Sequence, residues 1–544
     1  MGTDGTQTPL IYDQSELIQH IMSHTGSWII DENGVRRVSP RGKLEIACYH
    51  QILPIGRSRD ITTNTVKIKL AFRRSGQAWE TIIVEKGILA SSRSIISLAD
   101  RGIAVTSNSA AYLVEYLNEL QEIHYHNLPC TNSVSHLGYF PNIGFIPYAD
   151  SVSLDIDTCY NIIRNAIQEY GDQEEWIRTA SECRAMSKEA QIMLAGSFAS
   201  PLISIVGALP FYVHIWGVDS GTGKTVSLLL AASVWGDPEP GRYIQTHNAT
   251  SVGHERIASF LCHLPLCIDE LQLAGGRKAT SNVDVYQLAQ GVGKTRGRSK
   301  GGLELTPTWS CTILSTGETP IVSSEAGSGA MNRVIEIATE PGHYIIKDGQ
   351  RIANTLRLHY GFAGKIFVEN LFSDANSTYI QELYQQNYDN ILRYDVTDKQ
   401  AMAAAALLTA DQLAAKWVFH DDTALTAKDL YTYLVSKSEV SAGKRAYEWL
   451  CGWVASNSHH FYRGTLSPSG ITYGMIDADI AYIIRQVFNH VLQDAGFSPS
   501  ATLSYLRANK LIMTRDNKGY TKSKRINGIA TDCVWMSYQK SEHI

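Results

Sequence analysis

The middle of the chain opens with an apolar stretch that changes character halfway along. From Ala190 to Val218 there is no Asp, Glu, Lys or Arg, and Pro201, Pro210 and His214 interrupt the run. Its first part predicts a buried helix. Its second part, Phe211-Tyr212-Val213-His214-Ile215-Trp216, is short, continuous and apolar, as a strand covered on both faces must be. A charge-free stretch of this length also invites a membrane-spanning reading, but the prolines and His214 count against it, and the segment is expected inside protein. Upstream, Trp176, Ala180, Cys183, Met186 and Met193 recur at helical spacing within a helix-rich region from Cys159 to about Leu202. Downstream, short apolar strands at 264–268, 308–314 and 334–337 precede a helical stretch from Ile352 to about Phe419.

The two ends read differently. Residues 26–150 mix short strands with one clear helix: Ile103-Ala104-Val105 predicts a strand, Ser107-Asn108 a cap, and Ala110 to Leu120 an amphipathic helix. Near the other end, Thr426 with Asp429 predicts a helix start, 477–494 predicts a helix, and Ser498 caps a second helix through Leu506. Leu511-Ile512-Met513, a turn at Asp516-Asn517-Lys518-Gly519, and strands at 520–524 and 533–536 complete a winged helix. At 544 residues the chain exceeds one ordinary core. The expected division is an α+β domain over 1–155, an α/β P-loop ATPase core with its preceding helices over 156–345, a helical lid or connector over 346–425, and a helical and winged-helix domain over 426–544.

The strand at 211–216 leads into Gly217-Val218-Asp219-Ser220-Gly221-Thr222-Gly223-Lys224-Thr225, and an apolar helix follows. Glycines allow a tight turn whose N–H groups face an anion; Lys224 can reach the β- and γ-phosphates, and the Thr225 hydroxyl can ligate Mg²⁺. Ser220, Gly221, Thr222, Gly223, Lys224 and Thr225 are therefore expected to bind ATP with Mg²⁺. Val218 stands where the strict spacing places the first glycine, with Gly217 one position early. Leu264-Pro265-Leu266-Cys267-Ile268 ends in Asp269-Glu270: Asp269 would hold the metal through water, and Glu270 would act as general base. The strand at 308–314 ends at Ser315-Thr316-Gly317-Glu318, where Thr316, or failing it Ser315, can orient the attacking water. Arg333, before the strand at 334–337, is placed to reach a neighbouring subunit's γ-phosphate, with an ordinary surface arginine as the plainer reading.

A formal charge of −5 argues against a wholly basic nucleic-acid coat, so any such contact must be local. Nine cysteines lie at irregular positions, as buried thiols in a reducing compartment do. Cys262-His263 with Cys267, and His124 with His126, are the nearest approaches to zinc spacing, and neither has a second half. The polar start carries no signal-peptide pattern, and a cytoplasmic location is expected.

Gly291 to Gly302 contains a second Gly-Lys-Thr, but no buried strand precedes it and no apolar helix follows. A basic hairpin carrying Lys294, Arg296, Arg298 and Lys300, between the Asp269 and Thr316 strands, suits a phosphate backbone better than a second nucleotide. The plainer alternative is a solvated loop. Arg515, Lys518, Lys522, Lys524 and Arg525 charge the wing, and Lys518, Lys522, Lys524 and Arg525 are the candidate DNA contacts there; a solvated hairpin explains the same charges.

The order of parts resembles the Cch-type replication helicases of phages and mobile genetic elements, MCM-like ATPases from an uncharacterised-domain P-loop family. The resemblance is carried by Gly102 to Val105 and its helix, Trp176, Ser220 to Thr225, Thr246 with Asn248, Leu266 to Leu271, Gly291 to Lys294 with Gly301 to Leu303, Ser315 to Glu318 and the terminal winged helix. It implies an AAA+ fold, ATP-driven movement on single-stranded and forked DNA, a homo-hexameric ring, accessory replication proteins as partners and a role in replicating a mobile element. Two rival readings remain at this point: an ATP-controlled DNA-binding initiator or switch that does not unwind, and a remodelling ATPase of a defence system.

Overall fold

The computed structural model describes residues 14–270, 285–297, 302–322, 328–464, 466–468, 470–514 and 519–538. Arg298, Lys300, Lys518 and most of the turn expected at 516–519 lie outside the described residues. The chain forms two compact units, Met1–Arg164 and Asn165–Ile544.

In the first unit a three-stranded antiparallel sheet (Ile29–Asp31, Gly34–Val38, Leu44–Cys48) accompanies a five-stranded mixed sheet. The mixed sheet is ordered Ser153–Leu154, Cys130–Val134, Gln51–Asp60, Val66–Arg73, Glu80–Glu85. The helix Ala110–Ile123 packs Leu113, Tyr116, Leu117 and Leu120 into the core. Ile103-Ala104-Val105 is not the expected strand. Ile103 and Val105 are buried in irregular chain, and the Ala104 N–H donates to His50 Nε2 at 2.9 Å instead of to a neighbouring strand. The helix cap falls at Ser109, without a side-chain cap bond.

The second unit begins with two helices, α1 (Gln173–Met186) and α2 (Lys188–Val206), started by Asp172 and Ser187, whose side chains each accept a backbone N–H three residues on. Among the described residues α2 is the helix long and apolar enough to cross a membrane, and 78% of its apolar window is buried inside the protein. Strand β1 (Phe211–Trp216) then enters the sheet, followed by helix α3 (Lys224–Ser233), β2 (Gln245–Thr246), helix α4 (Ser251–Leu261), β3 (Leu266–Asp269), β4 (Thr312–Gly317) and β5 (Val334–Ala338). The order across the sheet is β2-β3-β4-β1-β5, every pairing parallel. All six residues of β4 are buried. Helices α5 (Gly349–Leu358) and α6 (Asp398–Ala414) follow, and α6 lays its alanines, Ala401 and Ala403 to Ala406, in the core beside α2. A buried polar set locks them: Arg184 pairs with Asp411 at 3.3 Å and with Asp421 at 2.9 Å, while Gln191 donates to Asp411 at 2.9 Å.

At the C-terminal end, Thr426 and Asp429 form a reciprocal capping box, and α7 (Ala442–Ser456) leads into the second five-stranded sheet of this unit. Its strands are β6 (Phe461–Arg463), β7 (Gly474–Asp477), β8 (Ile480–Ile484), β9 (Lys522–Ile526) and β10 (Ile529–Ser537), in the order β6-β7-β8-β10-β9. Helices α8 (Arg485–Asp494) and α9 (Pro499–Ala508) lie between β8 and β9 in sequence, and α9 is capped by Ser498. The expected helix at 477–494 is corrected here: its first part is the central strand β8, because Ile480 to Ile484 pairs with β7 on one side and β10 on the other. The hairpin turn is Asn527-Gly528, both at positive φ, the dipeptide that a two-residue connection favours. Leu511 to Met513 forms only an isolated bridge, Ile512 to Met536.

Candidate functional site

Parallel strands place their carboxyl ends together, and the loops leaving those ends form the natural crevice of such a sheet. The loop after β1 is tied down on both sides. A Cβ on Gly217 would lie 1.9 Å from Thr339 Oγ1, and the Thr339 N–H and hydroxyl both donate to Trp216 O. Gly223, at φ +96°, leaves no room for a Cβ, which would sit 2.7 Å from Ile346 N. The Ile345 N–H donates to Thr222 O at 2.8 Å, and the Gly342 N–H to Asp219 Oδ2 at 3.0 Å. Val218 is 73% exposed and outside the positive-φ set, so the position does not require glycine.

Helix α3 starts at Lys224 with no side-chain cap bond from Gly223, which leaves its first N–H groups to the crevice. Lys224 Nζ donates to Gly217 O at 2.9 Å and to Asp219 O. Burial pulls its pKa below the ordinary lysine value, against the opposing pull of Glu318, Asp219 and Asp269. Across the crevice, Thr316 donates its hydroxyl to Asp269 Oδ1, which also accepts the Glu270 N–H at 2.9 Å. Glu270 is exposed and turns out of the strand at φ +62°, a backbone region costly for a side chain of this kind. The cleft measures about 460 Å³, and Lys224, Thr225, Asp269, Glu270, Thr316 and Arg357 are among its lining residues.

Ser220, Gly221, Thr222 and Gly223 line the same cleft. Ser315 points away: its hydroxyl meets His214 Nδ1 at 2.8 Å, while His214 Nε2 lies 3.0 Å from Thr319 O. That histidine is fully buried in β1, and burial pushes its pKa down to about 4. Two features escaped the sequence reading. His214 looked like a simple interruption of an apolar strand, and Arg357, near the end of α5, gave no local signal; its Nε donates to Glu239 at 2.6 Å.

The other expected residues lie elsewhere. Arg333 immediately precedes β5, and its carbonyl accepts the Tyr212 N–H at the amino end of β1, the opposite end of the sheet from the cleft. Its guanidinium sits 4.5 Å over the Tyr286 ring and donates to Gly329 O. The basic hairpin is present as bridges Val292 to Thr308 and Gly297 to Leu303. It hangs at the same amino end, since a Cβ on Gly291 would press on Trp309 O and on Pro210, the residue before β1. Lys294 is exposed, whereas Arg296 is half-buried and bonds Glu255 of α4 at 2.7 Å, an anchoring pair rather than a free cation. On the C-terminal hairpin, Lys522 and Lys524 share one face of the sheet while Arg525 alternates to the other. Among the described residues no group of three or more His, Cys, Asp or Glu is placed to hold a metal.

Residues 23–308, just over half of the chain, match the family described as a domain of unknown function, DUF927, and the chain belongs to that family. Residues 441–541 match the Cch helix turn helix domain. Among solved structures the chain is similar to SCCmec type IV Cch, described as an active helicase. The two share 19% identity over 94% of this chain and 98% of that one, with a TM-score of 0.67. The resemblance to Cch carried by the motifs thus extends to the fold. Two structures of the apo C-terminal region of NrS-1 align at 10% identity over 72% and 70% of this chain and 92% and 90% of theirs, with TM-scores of 0.28. At that score they carry no argument. No curated protein matches the chain.

Proposed function

We propose that this chain is an ATP-dependent DNA helicase of AAA+ type, working as a homo-hexameric ring in the replication of a mobile element. The observation that carries the reading is the meeting of Lys224, Asp269, Thr316 and Glu270 at one cleft on the carboxyl ends of a parallel sheet, in a chain that shares its fold with Cch. Lys224 would exchange its loop carbonyls for the β- and γ-phosphates, and the open N–H groups of α3 would face the same anion. A Mg²⁺ ion held by Thr225 and, through water, by Asp269 would neutralise phosphate charge. With Asp269 Oδ1 held by Thr316 and the Glu270 N–H, Oδ2 is the oxygen available for that water. Glu270, exposed at the rim, would take the proton of the attacking water. Arg333, remote from its own cleft, would serve a neighbour's site. Lys294, with Arg298 and Lys300, would grip the DNA backbone.

The helix turn helix match favours a second reading, an ATPase switch that binds DNA without unwinding it. A forked duplex separates the two. A helicase displaces a strand with ATP and Mg²⁺, hydrolyses faster with single-stranded DNA, and loses both when Lys294, Arg298 and Lys300 are neutralised, Arg296 being kept because it anchors the hairpin to Glu255. A switch binds the fork and leaves it paired. Sedimentation with ATP and Mg²⁺ showing only monomers at micromolar protein would overturn the ring.

A further inference from the structure

The C-terminal sheet has two unlike faces. One carries the core of the module: Ala481, Ile483, Val534 and Met536 pack against Leu450, Phe488 and Leu503 of the three helices. The other carries a separate apolar cluster made of sheet residues alone, Tyr462, Met475, Ile480, Tyr482, Ile484, Ile526, Cys533 and Trp535. Register aligns four of them in one row across adjacent strands: Tyr462 beside Met475, Met475 beside Tyr482, Tyr482 beside Trp535. Strands lie ~4.8 Å apart, so the row is a strip four strands wide of three aromatic rings and one thioether, all polarisable. Tyr462, Met475 and Trp535 are half-buried, and Trp535 meets Tyr482 edge to face at 4.8 Å between centroids.

Two cations sit over this row. Lys524 Nζ is 3.9 Å from the Tyr482 ring and 5.6 Å from Trp535, and Lys522 Nζ is 5.1 Å from Trp535. Both belong to β9, on one side of the row; Asp477, at the far end of β7, is the carboxylate that the same alternation brings to this face. The charge is thus sorted, with ammonium groups along one flank of an aromatic strip.

We propose that this face binds single-stranded nucleic acid, its bases stacked on Trp535 and Tyr462 and its phosphates paired with Lys522 and Lys524. An aromatic strip alone would fit many occupants. Lysines on one flank select a polyanion, and flat rings select one whose bases are free to leave their own stack. A duplex keeps its bases stacked and offers this face only phosphates. Cation–π contacts at an exposed site are the weaker interaction, so the lysines can leave the rings for phosphates as a base takes their place. The proposal extends the DNA-binding part of the proposed function to a second surface, and it needs no ATP.

The test uses the full chain without nucleotide, with fluorescence anisotropy of a labelled oligothymidylate and of a labelled duplex. Trp535→Leu should weaken oligothymidylate binding about tenfold, the scale of one lost base stack. Trp535→Phe should stay within about twofold, because a ring remains to stack on. Lys522→Ala with Lys524→Ala should lower the salt slope of that binding by about 1.4 units, roughly 0.7 for each lost single-strand phosphate contact, and by less on the duplex. Ultraviolet crosslinking to bromodeoxyuridine should mark residues 529–537 or 461–463. Unchanged oligothymidylate affinity in Trp535→Leu overturns the proposal, as does an equal loss in the leucine and phenylalanine variants. If Trp535→Leu instead lowers assembly while single-strand affinity holds, the face is an interface between copies and the proposal fails. A chain that binds oligothymidylate here yet displaces no strand would sink the helicase reading and leave this one standing.

Discussion

The two five-stranded sheets of the second unit solve opposite problems. The parallel sheet is covered on both faces, so every polar atom inside it needs a partner. His214, Ser315, Thr316 and Asp269 meet that demand in two separate pairs, one behind the sheet's working edge and one at the cleft. The C-terminal sheet is covered on one face, and there polarity is free while aromatic rings need explaining. In a buried sheet the informative residue is the polar one; in a half-open sheet it is the apolar one on the outer face, here the half-buried Trp535, Tyr462 and Met475.

The largest effect that would break this contrast lies at the cleft. Lys224 is the flexible cation of the loop, so Lys224→Ala should abolish ATP binding, measured by titration calorimetry. Glu270→Gln should bind normally and hydrolyse slower by a factor on the order of 10². Equal loss of binding in both variants would contradict the division of roles. Neither change should alter the oligothymidylate affinity of the C-terminal face.

The parallel core was open to sequence reading because its signals are local. The run 211–216, the glycine loop and the apolar helix occur in unbroken order, and the strand and helix starts of α3 and β1 fall where that order places them. The C-terminal sheet was harder because its order, β6-β7-β8-β10-β9, is set by partners far apart in sequence. Ile480 to Ile484 is apolar on both faces, one set for the core and one for the outer cluster, and without its partners such a run passes for helix. The hairpin signal Asn527-Gly528 competes with the more polar turn pattern at 516–519, and local composition does not rank the two. Arg357 and the seat of Arg333 depend on how helices and strand ends meet in space, which no local pattern encodes.

An intermediate effect is expected from pH. Burial pushes His214 down to about 4 and His247 to about 3, with His254 adding to the shift at His247. His214 faces Ser315 and the Thr319 carbonyl, and neither brings it a charge. In the unfolded chain both histidines protonate near the ordinary value, about 6.5. The unfolded state therefore binds more protons below that pH. Their contribution is whole above pH 6.5 and is lost as pH falls towards 4. Between pH 6.5 and 5 the core should lose about 2 kcal/mol per histidine. Urea unfolding followed at several pH values checks this, and His214→Gln should flatten the slope; an unchanged slope would mean that His214 is not held neutral.

The smallest effect sharpens the comparison within the loop itself. Val218 occupies the place where strict spacing expects glycine, yet its side chain is exposed and its backbone is ordinary. The steric demand sits one residue earlier, where a Cβ on Gly217 would overlap Thr339 Oγ1, the hydroxyl that holds Trp216 O. Val218→Gly should therefore keep ATPase within about twofold, the cost being only added backbone freedom in the unfolded chain. Gly217→Ala must displace Thr339 or the loop, and should lower nucleotide affinity about tenfold or more, because the loop carbonyls that seat Lys224 move with it. Gly217→Ala paired with Thr339→Ala removes the overlapping hydroxyl and should recover part of the loss. No recovery would place the constraint on the Thr339 backbone, whose carbonyl lies 3.2 Å from the same point. A strong loss in Val218→Gly would show instead that the loop relies on the stiffness of a branched residue, and the displaced glycine would then be a requirement of this chain's geometry.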